Sequence, residues 1–385
     1  MSTLRVNNLQ NTATTDGGIS IDISGHVTVD DLQMPSAGPL SNRNKIINGD
    51  MRTDQRNAGV SVTPTTDTQY TLDRYQARLT QSSKYSVQRS ALAPEGFTNS
   101  LLVTSLSSYS VTSTDKFAIG QVIEGFNAAD LGWGTANAKT VTLSFWVRSS
   151  LTGTFGGSFA SSTGDQFYVF SYSISSANTW EYKTITVPGT TAGTWNTDNT
   201  SGLNLRFGLG AGTSASGTPG SWGTTNFWQP TGSVSVVGTS GATFYITGVQ
   251  LEVGSVATPF EHRSYGDELQ RCMRYYYSVG GTAPYQYITC TASGSASISR
   301  GAFLHPVRMR ADPAFTHSGV STFALEGASG YHVCSDFQYV FGTREYAHLA
   351  PVAESGGSGL LTAGQPYVFL TNNNANARLY FNAEL

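Results

Sequence analysis

Six tryptophans, all between Trp133 and Trp228, are the side chains of this sequence best suited to recognition chemistry. An indole face stacks on the apolar face of a pyranose ring and presents a large, rigid surface. Three of them stand in Gly-, Thr- and Asn-rich loops: Trp195 in GTWN, Trp222 in GSWG and Trp228 in NFWQP. These three are candidate ligand contacts. A loop Trp can equally plug the end of a β-sandwich or sit between subunits, and that is the commoner fate. Trp146 and Trp180 fall inside strand patterns and read as framework. A second candidate group is Tyr331, His332 and Asp336 in GYHVCSDFQYV, where aromatic and polar residues mix as on a recognition rim. Ordinary strand surface explains that group just as well.

Catalytic chemistry is not legible in the sequence. Glycan cleavage needs two carboxylates about 5–10 Å apart across the scissile bond. The 25 acidic residues are scattered, without a D-x-D, a paired Glu or a His-centred set. Asp267-Glu268 opens a helical pattern, where acids complement the helix dipole. No G-x-S-x-G is present. The expectation is a non-enzyme with no catalytic residue and no cofactor. The loop NTDNTSG (196–202) is rich in oxygen donors, but it lacks the Gly and the distant Glu of an EF-hand and reads as an Asx turn. The six His residues show no zinc spacing, so no metal site is expected. Cys272, Cys290 and Cys334 are odd in number and form no C-x-x-C, which suits free thiols in a reducing cytosol.

The elements that must position these residues are β-strands. Charged residues make up only 12% of the 385, against about a quarter in an average domain, while Gly reaches 42. With 19 Tyr and 19 Phe the chain has the rings of ordered sheets rather than the composition of disorder. The net charge of −3, spread evenly, offers no cationic footprint for nucleic acid. No signal peptide opens the sequence and no apolar run approaches the roughly 20 residues of a membrane span. A soluble protein that neither inserts in membranes nor leaves the cell by a standard route is expected.

Three segments follow from the patterning. In residues 1–42, Ile19, Ile21 and Ile23 and then Val27 and Val29 alternate around Ser24-Gly25, which predicts a hairpin. Such a hairpin is marginal alone and needs a partner for its apolar face. PSAGPLSN ends the segment. Residues 43–262 hold about ten short strand patterns between Gly, Ser, Asn and Pro turns, as in a two-sheet jelly roll. In VTLSFWVRS, Val141, Leu143, Phe145 and Val147 face one way and Thr142, Ser144, Trp146 and Arg148 the other. In the closing strand the apolar phase of Phe244 and Ile246 shifts to Val249, Leu251 and Val253, which predicts a bulge at Gly248. Residues 263–385 open on the helix pattern SYGDELQRCMRY and continue as a smaller C-terminal β-sandwich ending on the strand ARLYFNAEL. The fold class is all-β.

Several phrases in this order resemble phage tail-fibre proteins. They are NKIINGDMRTDQRNAG (44–59), LDRYQA (72–77), FAIGQVIEGFNAADLGWGTANAKTVTLSFWVRSS (117–150), TWEYKTITVPG, FYITGVQLEVGSVATPFE and ELQRCMRYY (268–276). The start, STLRVNNLQN…GGISIDISGHVTV, is similar to the virion-proximal end of such fibres. The central segment also resembles carbohydrate-binding jelly rolls. The resemblance implies a homotrimeric attachment protein of the virion. Residues 1–42 would hold a tail or adaptor protein, and the C-terminal segment would be the receptor-binding tip. It would be assembled in the host cytoplasm and would bind host surface polysaccharide or lipopolysaccharide without cleaving it. A tail depolymerase and a structural head fibre or adaptor are the alternatives. Residues 280–375 match no receptor-binding domain.

Overall fold

The computed structural model describes residues 41–354 and 361–385, except the side chains of 339–341, together with the backbone of four short strands nearer the N-terminus. Those strands, β1 (Asn8–Gln10), β2 (Gly18–Ile21), β3 (Val27–Val29) and β4 (Leu32–Gln33), pair antiparallel in sequence order. The predicted hairpin is β2–β3, with Ile19 opposite Val29 and Ile21 opposite Val27. Its turn at Ser24-Gly25, and most of the PSAGPLSN linker, lie outside the described residues. Two compact units divide the chain, Met1–Tyr265 and Gly266–Leu385.

The first unit carries fourteen further strands. In chain order they are β5 (Gln69–Leu72), β6 (Tyr75–Leu79), β7 (Tyr85–Ser90), β8 (Ser100–Ser105), β9 (Lys116–Glu124), β10 (Val141–Ser149) and β11 (Gly153–Ser161). Then come β12 (Phe167–Ile174), β13 (Glu181–Val187), β14 (Ser201–Ala211), β15 (Ser216–Gly217), β16 (Trp222–Gly223), β17 (Gln229–Pro230) and β18 (Thr243–Val253). Twelve of them form a five-stranded sheet, β13-β10-β18-β8-β7, and a seven-stranded sheet, β16-β12-β11-β14-β9-β6-β5, while β15 and β17 pair parallel by themselves. The two enclose one apolar core, as expected for a sandwich. The alternation in β10 sets the inner face. Val141, Leu143, Phe145 and Val147 are fully buried, and the Phe145 ring meets Tyr172 and Phe207 edge-on, each at 5.1 Å. Burial of each such side chain is worth about 1.5–3 kcal/mol.

The outer face of the five-stranded sheet is partly covered by the chain itself. Beyond β18 the backbone turns at Gly254 and runs back across the sheet. Thr142 Oγ1 donates to Gly254 O and Thr186 Oγ1 to Ser255 O. Gln250 and Glu252 point outward from β18 yet are buried beneath this strap. Glu252 accepts from the amide and hydroxyl of Thr258, and Gln250 Oε1 accepts from the Glu261 amide. Glu261 in turn accepts from the amides of Arg43 and Asn44, so the strap also fastens the segment that opens the sandwich. The segments around Asn44 and Gln250 are thus two sides of one clasp, and the buried Gln250 and Glu252 side chains are hydrogen-bonded within it.

Asp115 ties the loop before β9 to the end of β6. Its carboxylate accepts from the Thr112 amide and hydroxyl, the Tyr109 hydroxyl and the Thr80 hydroxyl, at 2.7–2.9 Å. Burial pushes its pKa up, but these donors together outweigh burial and hold it at about 2. The unfolded carboxyl titrates near 3.8, so the contribution is whole above that pH and is lost as pH falls towards 2. Asp115→Asn should lower the thermal midpoint at neutral pH and flatten its decline between about pH 4 and about pH 2. Calorimetric melts at stepped pH check this; parallel curves for the two proteins would contradict it.

The second unit opens on the helix Tyr265–Met273, where the sequence predicts it. Its strands are β19 (Tyr276–Gly280), β20 (Tyr287–Ser293), β21 (Ser299–Leu304), β22 (Ala314–His317), β23 (Phe323–Gly327), β24 (Gly330–Gly342), β25 (Tyr346–Ala353), β26 (Pro366–Thr371) and β27 (Arg378–Asn382). The smaller C-terminal sandwich takes the form of a closed six-stranded barrel, β20-β21-β25-β24-β23-β26, with a separate sheet β19-β27-β22. The terminal strand is paired on both edges. Phe323, Leu325, Phe369, Leu379 and Phe381 form its core. All three cysteines are free, Cys272 and Cys334 buried and Cys290 exposed. No helix among the described residues is long and apolar enough to cross a membrane.

Candidate functional site

The predicted bulge at Gly248 shapes a cavity of the first unit. Along the β10–β18 ladder Ser144 pairs with Gln250 but Trp146 pairs with Thr247, so β18 carries an extra residue there. Gly248 takes φ +60°, and a Cβ on it would stand 2.7 Å from Phe97 Cζ and 3.2 Å from Trp146 Cδ1. The absence of a side chain leaves this space open. The cavity has a volume of about 530 Å³, within the usual range for small-ligand sites.

Each wall has a separate source. Trp146 on β10 and Tyr182 on β13 are directly paired across the ladder, with ring centroids 5.3 Å apart. Phe97 comes from the β7–β8 loop, which also brings Glu95, and Phe260 and His262 come from the strap. Phe97 and Phe260 meet edge-on at 5.1 Å, and Phe260 and His262 at 4.9 Å. Tyr182 is 43% exposed along its ring. Burial of its hydroxyl end pushes its pKa up, against a hydrogen bond with Ser144 and with the Glu252 charge adding to the rise, so the hydroxyl stays neutral. Glu95 and His262 are exposed at the mouth. The arrangement is a ring-lined floor with hydrogen-bonding groups at its edge. It can take the apolar face of a flat ligand while an acceptor and an imidazole reach its hydroxyls.

The sequence reading placed Trp146 in the framework. The structure leaves it half-buried and lining this cavity. The signal was present: Trp146 shares the outward phase with Thr142, Ser144 and Arg148, and a large ring on a polar phase needs something to face. Trp180 does behave as framework, half-buried with its ring 6.0 Å from Tyr245.

The candidate tryptophans have a different setting, and Trp222 stands not in a loop but on the short strand β16, opposite Tyr168. Trp195 and Trp222 converge on buried Trp133, and the three rings meet edge-on at 5.0, 5.1 and 5.7 Å. Each indole N–H donates to a backbone carbonyl: Trp133 to Lys139, Trp195 to Ala192 and Trp222 to Pro188. The space left beside Trp133 and Trp195 is about 10 Å³, the lower limit for one water. This trio closes one end of the sandwich. Trp228 is buried, donates to Asn226 Oδ1 and lies against Arg78, Lys116 and Arg206. None of the three lines the Trp146 cavity.

Tyr331, His332 and Asp336 share strand β24 but do not converge. Tyr331 is 39% exposed, donates to Asn372 Oδ1 and meets Tyr285 edge-on at 6.2 Å. His332, on the opposite phase, is buried, with Nε2 3.0 Å from Ser329 Oγ. Asp336 lies past a register shift, exposed, and accepts from the Phe337 amide. In the 196–202 loop Asp198 accepts from the amide of Thr200, the Asx turn the sequence predicts. Among the described residues no three His, Cys, Asp or Glu side chains gather as a metal-holding group.

No protein-family model and no curated protein matches this sequence. Among solved structures the chain is similar to the enzymatically active domain of tailspike protein 4 of bacteriophage CBA120, at 12% identity over 55% of this chain and 21% of that one, with a TM-score of 0.30. It is similar to TmCBM61 in complex with β-1,4-galactotriose, at 10% identity over 55% of this chain and 99% of that one, with a TM-score of 0.28. It is also similar to the family 11 carbohydrate-binding module from Clostridium thermocellum in complex with a β-1,3-1,4-mixed-linked tetrasaccharide. There the identity is 11% over 52% of this chain and 98% of that one, and the TM-score is 0.27. The chain therefore spans about a fifth of the tailspike domain's length.

Proposed function

We propose that this chain is a phage tail fibre that attaches the particle to its host by holding surface carbohydrate in the Trp146 cavity, without cleaving it. The observation that carries the reading is the cavity of about 530 Å³ lined by Trp146, Tyr182, Phe97, Phe260 and His262. Rings of this kind match the C–H faces of a sugar ring, and Glu95 and His262 beside them can meet its hydroxyls. The tail-fibre-like phrases of the sequence support the viral setting, with residues 1–42 on a tail or adaptor protein. A homotrimer would present the site three times, and avidity would then raise binding by roughly 10²–10⁴ over one site.

One observation favours a second contact in the C-terminal unit. Tyr285 (50% exposed), Tyr287 (66%) and Tyr331 (39%) stand out from one region of the barrel. Exposed tyrosines are common recognition groups, so this unit is the proposed receptor-binding tip.

The test is to measure the mass of the purified protein in solution and its binding to host cells and to their extracted capsule and lipopolysaccharide, with an assay for new reducing ends. A trimer that binds without releasing ends is the expected result. New reducing ends would make the protein a depolymerase instead. A stable monomer that ignores cells and glycans would sink the attachment reading and leave a structural place in the virion.

A further inference from the structure

Three neighbouring strands of the seven-stranded sheet each raise one cation on the face away from the core: Arg78 on β6, Lys116 at the start of β9 and Arg206 on β14. Lys116, Ala118 and Gly120 share that face by the two-residue period. Arg78 stands opposite Ala118 and Arg206 opposite Gly120, so small residues leave room between the long ones. Trp228, from the loop before β17, lies on all three. Its ring centroid is 4.5 Å from the Arg206 guanidinium, 5.0 Å from that of Arg78 and 5.4 Å from Lys116 Nζ.

Charge is not balanced here. Asp67 takes Arg78 through two bonds, at 3.0 and 3.4 Å. Arg206 is 8% exposed and donates to the neutral Asn226 amide oxygen at 3.3 Å, and its buried Nε finds no acceptor among the described residues. A buried guanidinium with an unfilled donor is costly. The Trp228 indole against these cations offsets part of that cost but accepts no hydrogen bond from the Arg206 Nε. The strain on the charged forms is consistent with this. Burial, and then the charge of Arg78, push the pKa of Arg206 down to about 9. Burial and the two arginines also push Lys116 down. Lys116 is only half-buried, so the cluster is reachable from solvent at that end.

We propose that Lys116, Arg206 and Arg78 form an anion subsite that takes a carboxylate, sulfate or phosphate substituent of a polysaccharide, with Lys116 as the reachable group. An anion there would fill the empty Arg206 donor or offset its charge, and it would quench repulsion between the cations. The site is built on the opposite sheet from the Trp146 cavity and does not need it. That its anion belongs to a polysaccharide rests on the proposed function; that it holds an anion does not.

The test uses the full chain and its Lys116→Gln variant. Each is titrated with sodium sulfate at constant ionic strength, with trigalacturonate and with the uncharged methyl ester of the same trimer, read by calorimetry and by thermal midpoint. Sulfate and trigalacturonate should bind saturably and raise the midpoint, while the ester should not. K116Q should melt higher than the parent when ligand-free, because a repelling charge is gone, and should bind both anions about tenfold more weakly or worse. No saturable binding of either anion, or equal binding by the parent and K116Q, overturns the subsite. A lower ligand-free midpoint for K116Q also counts against it, since the lysine would then be a structural cation–π contact. Saturable sulfate without trigalacturonate would keep the anion site and overturn its assignment to a polysaccharide.

Discussion

Trp146→Ala should weaken the binding of a neutral oligosaccharide by about thirtyfold or more, corresponding to about 2 kcal/mol, the scale of a central aromatic contact. Trp146 is half-buried, pairs with Tyr182 across the ladder and lines the cavity. Its removal leaves the inner face of β10 untouched, because Phe145 and Val147 point the other way. The melt should therefore move little, by about 1 kcal/mol or less. Trp146→Phe should keep part of the affinity, since a ring remains. Calorimetric titration with an oligosaccharide that the parent binds, beside a melt of each variant, separates lost contact from lost fold. Unchanged affinity in a folded Trp146→Ala protein would remove the cavity from the function.

Trp133→Ala should produce the opposite profile. This ring is 5% exposed and sits at the meeting point of Trp195 and Trp222, with Phe159 behind it at 6.3 Å. Deleting it removes the middle of a packed trio and leaves Lys139 O without its donor. The expected cost is about 3–5 kcal/mol, and a unit of this size would melt roughly 10 °C lower. Trp195→Ala and Trp222→Ala should each cost less, because both are half-exposed and two rings of the trio would remain. None of the three should change oligosaccharide affinity in protein that is still folded. A Trp133→Ala protein that melts within about 2 °C of the parent would show that the trio is not a plug. A large affinity loss in Trp195→Ala or Trp222→Ala would return those rings to the binding site.

These two profiles reverse the weights that sequence alone assigns to the tryptophans. Loop position made Trp195 and Trp222 candidates, and strand position made Trp146 framework. Position in an element does not decide exposure. Trp195 and Trp222 are half-buried because each packs edge-on against Trp133. Trp146 is half-buried like them, but it lines a cavity because the 254–262 strap covers the outer face of its sheet only in part.

A two-residue period carries faces, turns and phase slips, and these are legible without the fold. The alternation in VTLSFWVRS predicted both faces of β10, the β-branched run predicted the β2–β3 hairpin, and the phase slip before Val249 predicted the bulge at Gly248. Each of these depends on neighbours within a few residues, and strand geometry turns them into faces without further information. Tertiary structure alone decided which bulge became a cavity. The Glu95–Phe97 loop, Trp146, Tyr182, Gly248 and Phe260 belong to five separate stretches of the chain, and their meeting depends on strand order and on a strap held by Gln250, Glu252 and Glu261. The cation cluster shows the same limit. Arg78, Lys116 and Arg206 look like dispersed charges in the sequence, and only the ladder order β14-β9-β6 puts them against one ring. Side-chain phase is a local property of the backbone, whereas a site is a product of long-range pairing, which no local pattern encodes.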